Sequence, residues 1–153
     1  MRRIRTLFLA VLGLAGLGAS PGDIAVVAHP AVPVTNLSFA EMRQLALGDR
    51  QYWSSNLKVT LLMRATASPE RQVVLKNIYQ MSEAQYRQYW IGKVFRAEAS
   101  SQPRAVYTNE EAGTLVSATP GSIAFVDVAN VPKGVKVLRI DGRLPGEQGY
   151  KLK

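Results

Sequence analysis

The sequence predicts an α/β domain in which helices flank a mixed β-sheet, and three observations predict it. Apolar, β-branched stretches alternate with segments that open on helix-start signals, the pattern of strands interleaved with helices. Most of those stretches are continuous rather than alternating, which suits strands covered on both faces. The 153 residues are 47% hydrophobic, enough for one core. That length suits one domain better than two large lobes around a deep cleft.

The chain opens on Arg2, Arg3 and Arg5, followed by an uncharged run from Leu7 to Ala19 and small residues up to Ser20. A basic start, a short apolar stretch and small residues predict a secretory signal peptide over 1–20. The run is shorter than the roughly 20 residues that span a bilayer. The domain is then 21–153, exported to the periplasm and without stable membrane insertion once the signal is removed. There is no cysteine, so neither a lipoprotein anchor nor a disulfide or thiolate metal site is expected. Three of the 19 basic residues precede residue 20, while all 11 acidic ones follow it. Removing the signal therefore lowers the net charge from +8 to +5. Lys and Arg are scattered rather than striped, so a nucleic-acid partner is not expected.

The elements follow in order. Ile24–Ala28 is a strand. Ser38-Phe39-Ala40-Glu41 is a capping box that opens a helix over Phe39–Leu47, and Gly48 closes it. Val59–Met63 is the second strand. Ser68-Pro69-Glu70 supplies a cap and a proline at the first helical position, opening Pro69–Gln80 with Val73, Val74, Ile78 and Tyr79 on its apolar face. A second box, Ser82 to Gln85, opens Glu83–Phe95. Its Tyr86, Tyr89, Trp90 and Phe95 read as packing between helix and sheet, with a ligand-stacking platform as the alternative. A third box, Thr108 to Glu111, opens Asn109–Ala118. The turn Thr119-Pro120-Gly121-Ser122 leads into a strand over Ile123–Val126, and Val135–Ile140 is the last strand. The order is β-α-β-α-α-α-β-β.

Ligands of such sheets sit beyond strand ends, near helix N-termini. One junction has that form. A strand ends near Arg64, a loop of small residues follows, and a helix opens at Ser68. Free N–H groups and the helix dipole favour an anion there. Thr66 and Ser68 add hydroxyls, and Arg64 offers a planar fork for two oxygens. Arg71, a cation in the first turn, calls for a negative group nearby, either Glu70 or a ligand. The candidate oxyanion site is thus Arg64, Thr66, Ser68 and Arg71. The same residues also read as an ordinary helix start, with Glu70 serving the dipole and Arg64 paired to an acid on a neighbouring loop. Elsewhere, His29 sits in a turn, and Asp49, Asp127 and Asp141 stand alone. No nucleophile elbow, phosphate loop or dinucleotide fingerprint is present. Neither an enzyme nor a metal or other cofactor is expected.

Several segments together resemble phosphate-specific ABC-transporter substrate-binding proteins. Leu45-Ala46-Leu47-Gly48-Asp49 with Trp53 is similar to that family's "IFLGK…W" segment. Thr119-Pro120-Gly121-Ser122-Ile123-Ala124-Phe125-Val126 is similar to "TPGAIGYV". Val137-Leu138-Arg139-Ile140-Asp141-Gly142 and then Tyr150-Lys151-Leu152 resemble the family's ending, and Ala25–His29 with Pro33–Ser38 resembles its opening strand and "NPV.NLS". The resemblance runs in order over nearly the whole domain. It implies a single lobe of the periplasmic-binding-protein-like (type II) fold. It places Arg64 on the family's phosphate-binding arginine and Ser68 on the serine of "R.DGSGT". The next two positions depart: Pro69 and Glu70 stand where the family has Gly and Thr. The N-terminal half that forms the other wall of the family's cleft has no counterpart here.

Two readings follow. The first is an exported, non-enzymatic solute-binding-like protein that takes phosphate or another small oxyanion for ABC transport. The second is a cell-envelope interaction module that kept the fold and lost the ligand. Its partner is then an envelope or transporter protein, or a second copy that completes a two-sided cleft.

Overall fold

The computed structural model describes residues 22–153. The expected signal segment lies outside the described residues. Strand β1, Ile24–Ala28, is buried at every position, as a run covered on both faces requires. The short β2, Asn36–Leu37, leads into α1, Phe39–Ala46. The Ser38 box is complete: its Oγ accepts from Glu41 N–H at 3.1 Å, and Ser38 N–H donates to Glu41 at 3.0 Å. Gly48 follows with φ +73°, the left-handed conformation that ends a helix.

A hairpin of β3, Tyr52–Ser54, and β4, Leu57–Lys58, comes next, followed by β5, Thr60–Arg64. Helix α2 covers Pro69–Val74 and widens into a π-helical stretch over Leu75–Tyr79, where a uniform helix was expected. It stops at Gln80, which is left-handed at φ 55°. Helix α3, Glu83–Phe95, opens on the complete Ser82 box. Strand β6, Arg104–Val106, precedes α4, Asn109–Ala118. At α4 the expected box is only half formed. Thr108 Oγ1 accepts from Glu111 N–H at 2.9 Å, but the Glu111 carboxylate accepts from Tyr107 N–H at 2.7 Å, one residue before the cap.

Strand β7, Ser122–Asp127, is followed by β8, Lys136–Val137, and β9, Arg139–Ile140. The last two replace the single strand expected over Val135–Ile140. The chain changes partner at Leu138: β8 pairs with β1, and β9 pairs in parallel with β2.

The main sheet has the order β6-β5-β7-β1-β8. It is mixed, with β5 parallel to both β6 and β7, and β1 antiparallel to β7 and β8. One face carries Ala25, Val27, Leu62, Val106, Ala124 and Val126 against Ala112 and Val116 of α4. The other packs Val26, Met63, Ile123 and Phe125 with residues of α1, α2 and α3, among them Met42, Leu45, Val74 and Trp90. Tyr86 and Trp90 are buried and Tyr89 lies against that core, but Phe95 is 90% exposed rather than part of the aromatic packing.

Candidate functional site

Parallel pairing of β5 with β6 brings Arg64 level with Val106. The C-terminal ends of β5 and β6 and the starts of α2 and α4 therefore lie at the same end of the sheet. The loop from Ala65 turns at Ala67, which has φ 70°. Ser68 Oγ accepts from Arg71 N–H at 3.3 Å and so caps α2. Thr66 is exposed beside the loop, while Arg64 and Arg71 are buried.

Each guanidinium has a carboxylate partner from the chain itself. Arg64 Nη1 lies 2.9 Å from Glu70 Oε1 and donates to Asn109 Oδ1 at 2.8 Å. Its Nη2 donates to the Tyr107 carbonyl at 3.1 Å. Asn109 Nδ2 closes the cluster by donating to Glu70 Oε1 at 3.2 Å. The side chains of Arg64 and Glu70 are 10% and 7% exposed, so water screens this pair little. Two buried atoms of the cluster, Arg64 Nε and Glu70 Oε2, have no hydrogen-bond partner.

Arg71 makes a fork-to-fork pair with Glu83, at 2.7 Å from Nε and 2.9 Å from Nη2. Its Nη1 donates to the Arg64 carbonyl at 3.1 Å, and its guanidinium lies 4.7 Å from the Tyr86 ring centroid. Burial lowers the affinity of Arg71 for its proton, but Glu83 outweighs burial and the net shift is upward. The bond from Arg71 holds the Glu83 carboxyl below its usual value. Burial pushes the Tyr86 hydroxyl up to about 12, against the opposing pull of Arg71. The negative group that Arg71 calls for is therefore Glu83, while Glu70 serves Arg64.

The structure thus brings Arg64, Ser68 and Arg71 to one junction and leaves Thr66 on its rim. Sequence reasoning missed Asn109, Tyr107 and Glu83. Asn109 was legible as the first residue of a helix, but nothing local announced its bond to a residue 45 positions away. His29 behaves as a turn residue, with Nδ1 accepting from Ala31 N–H at 2.9 Å. Among the described residues, no group of three His, Cys, Asp or Glu side chains is placed to hold a metal ion. No described helix is long and apolar enough to cross a membrane.

No protein-family model matches the chain, and no curated protein sequence matches it. Solved structures do. An ABC-type phosphate transport receptor from Vibrio cholerae superposes with a TM-score of 0.64 at 19% identity, over 84% of this chain and 51% of that one. PstS from Borrelia burgdorferi gives 0.67 at 18% identity, over 85% and 53%. A phosphate-binding protein from Stenotrophomonas maltophilia gives 0.58 at 15% identity, over 82% and 41%. The chain has the periplasmic-binding-protein-like fold of these receptors and spans about half their length or less.

Proposed function

We propose that the protein is an exported, non-enzymatic relative of solute-binding proteins whose oxyanion seat is closed by its own Glu70, and that it acts through a protein partner in the cell envelope. The Arg64–Glu70 pair, 2.9 Å apart and buried, carries this reading. An oxyanion arriving at Arg64 would have to displace a carboxylate and the Asn109 bond that braces it. It would also meet the negative charge of Glu70 at the helix start, which disfavours a doubly charged ligand. An apolar stripe on α3 supports a partner. Ile91, Val94 and Phe95 are 54%, 39% and 90% exposed at helical spacing. Contiguous exposed apolar side chains mark contact surfaces more often than isolated ones do. The partner is an envelope or transporter protein, and self-association through a second copy is the variant.

A second reading keeps phosphate or another small oxyanion at Arg64, Thr66, Ser68 and Arg71, delivered to an ABC transporter. The fold shared with phosphate receptors supports it, and so does the unpartnered Arg64 Nε. Titration calorimetry with phosphate, sulfate and molybdate separates the two. The first reading expects no heat from the wild-type protein at millimolar anion. Binding by the wild type that disappears in a folded Arg64→Met/Glu70→Leu double variant would overturn it in favour of the second. Light scattering at high concentration tests the self-association variant, which a monomeric mass rejects.

A further inference from the structure

We propose that a second cleft, at the opposite end of β5 from Arg64, binds a small organic anion. The cleft has a volume of about 190 Å³ and reaches from Thr60 and Leu61 to the segment before β6. It shares no residue with the Arg64 cluster, so the two sites stand or fall separately.

Two cations line it. Lys58 ends the hairpin just before β5, and Arg104 opens β6 opposite Leu62. Neither has a carboxylate partner among the described residues. Lys58 Nζ makes one long contact, 3.4 Å to Ser100 Oγ, which leaves most of its donor capacity unused. The Arg104 guanidinium makes no hydrogen bond to a described residue. No Asp or Glu lines the cleft. The two acidic residues that directly flank the lining in sequence are paired elsewhere, Asp49 with Lys93 at 2.6 Å and Glu98 with Arg96 at 2.9 Å.

Ser101 and Gln102 add polar groups to the lining, and Trp90, itself only 2% exposed, is its aromatic residue. The edge of the Trp90 six-membered ring faces Gly48, and both residues line the cleft. Two unpaired cations, hydroxyl and amide donors, and an aromatic residue in one lining together match one chemical class. It is a compact molecule with a carboxylate or phosphate head and an apolar body. The head would sit between Lys58 and Arg104, and the body against Trp90 and Leu61. A carboxylate and a phosphate ester share the chemistry that this lining reads.

The test uses benzoate, phenyl phosphate and inorganic phosphate, followed by calorimetry and by tryptophan fluorescence. Either benzoate or phenyl phosphate should bind and perturb the fluorescence, more tightly than inorganic phosphate does. Which of the two binds tighter identifies the head group. Arg104→Ala and Lys58→Ala should each weaken that binding about tenfold. Both side chains are exposed, so unchanged melting curves are the expected control. The double variant Arg64→Met/Glu70→Leu, which removes the first site without leaving a buried charge unpaired, should leave the affinity unchanged. The proposal is overturned if neither organic anion binds at millimolar concentration, if inorganic phosphate binds as tightly as they do, or if the Lys58→Ala/Arg104→Ala double variant binds like wild type. Loss of binding in that Arg64→Met/Glu70→Leu variant, with its melting curve intact, would also overturn it and return the ligand to the first site.

Discussion

Glu70 reaches Arg64 across the start of α2 at 2.9 Å, and Asn109 bonds to both partners. Removing one member of a buried pair leaves an uncompensated charge, which typically costs about 3–5 kcal/mol. Replacing both with apolar residues of similar size is often neutral. We therefore expect Arg64→Met and Glu70→Leu to destabilise strongly as single substitutions, and the double variant to recover most of the loss. Urea unfolding of all four proteins measures the coupling. Additive losses would show that the pair is not a coupled unit.

The Arg71–Glu83 pair makes a prediction about pH. Glu83 has a folded pKa below its unfolded value, because Arg71 bonds to its charged form. Its contribution to stability is complete above the usual glutamate pKa, near 4.3. The contribution is lost as pH falls through the lower folded value. The wild-type melting midpoint should therefore fall below about pH 4 more steeply than that of Glu83→Gln. Equal slopes would remove Glu83 from the acid response. The effect is expected to be small, since Glu83 is 38% exposed and water screens it.

The local features of this fold were legible in the sequence, and the long-range ones were not. The boxes at Ser38 and Ser82 depend on side chains three residues apart, and both form as expected. The Arg64 cluster joins residues from β5, α2 and α4, and only the sheet register brings them together. The junction itself is still legible, because a strand end meeting a helix start is a local pattern. Val135–Ile140 reads as one strand in the sequence, because an apolar run carries no mark of where its pairing partner changes. There Leu138 N–H donates to the Val26 carbonyl, and Arg139 N–H to the Thr35 carbonyl.

Helix geometry explains Phe95 and yields a third prediction. Tyr86, Trp90 and Lys93 are the buried residues of α3, spaced by four and three. Phe95 lies five residues beyond Trp90, about 140° further around the helix at 100° per residue. Trp90→Ala should cost about 3–5 kcal/mol through the cavity it leaves. Phe95→Ser should stay within about 0.5 kcal/mol of wild type. Thermal melting of the two variants checks this. A large loss in Phe95→Ser would mean that its ring is covered in solution, by a second copy or another part of the chain.

Gly121 gives the last prediction, because two independent constraints meet there. Its φ is +85°, and a Cβ would sit 2.1 Å from the Lys58 carbonyl oxygen. Its own carbonyl accepts from Trp53 Nε1 at 2.8 Å and from Thr60 N–H at 3.1 Å, tying the turn to the hairpin and to β5. Gly142 is the natural control, with φ +78° and nothing within 4 Å of a Cβ. Gly142→Ala should cost only the left-handed backbone penalty, roughly 1–2 kcal/mol. Gly121→Ala adds a clash with a backbone atom, so we expect a loss on the order of 3 kcal/mol or more. Chemical unfolding of both variants measures the difference. Trp53 fluorescence should shift only in Gly121→Ala, because only that turn holds the indole. Equal losses in the two variants would mean that the turn relaxes and that the approach of Lys58 constrains nothing.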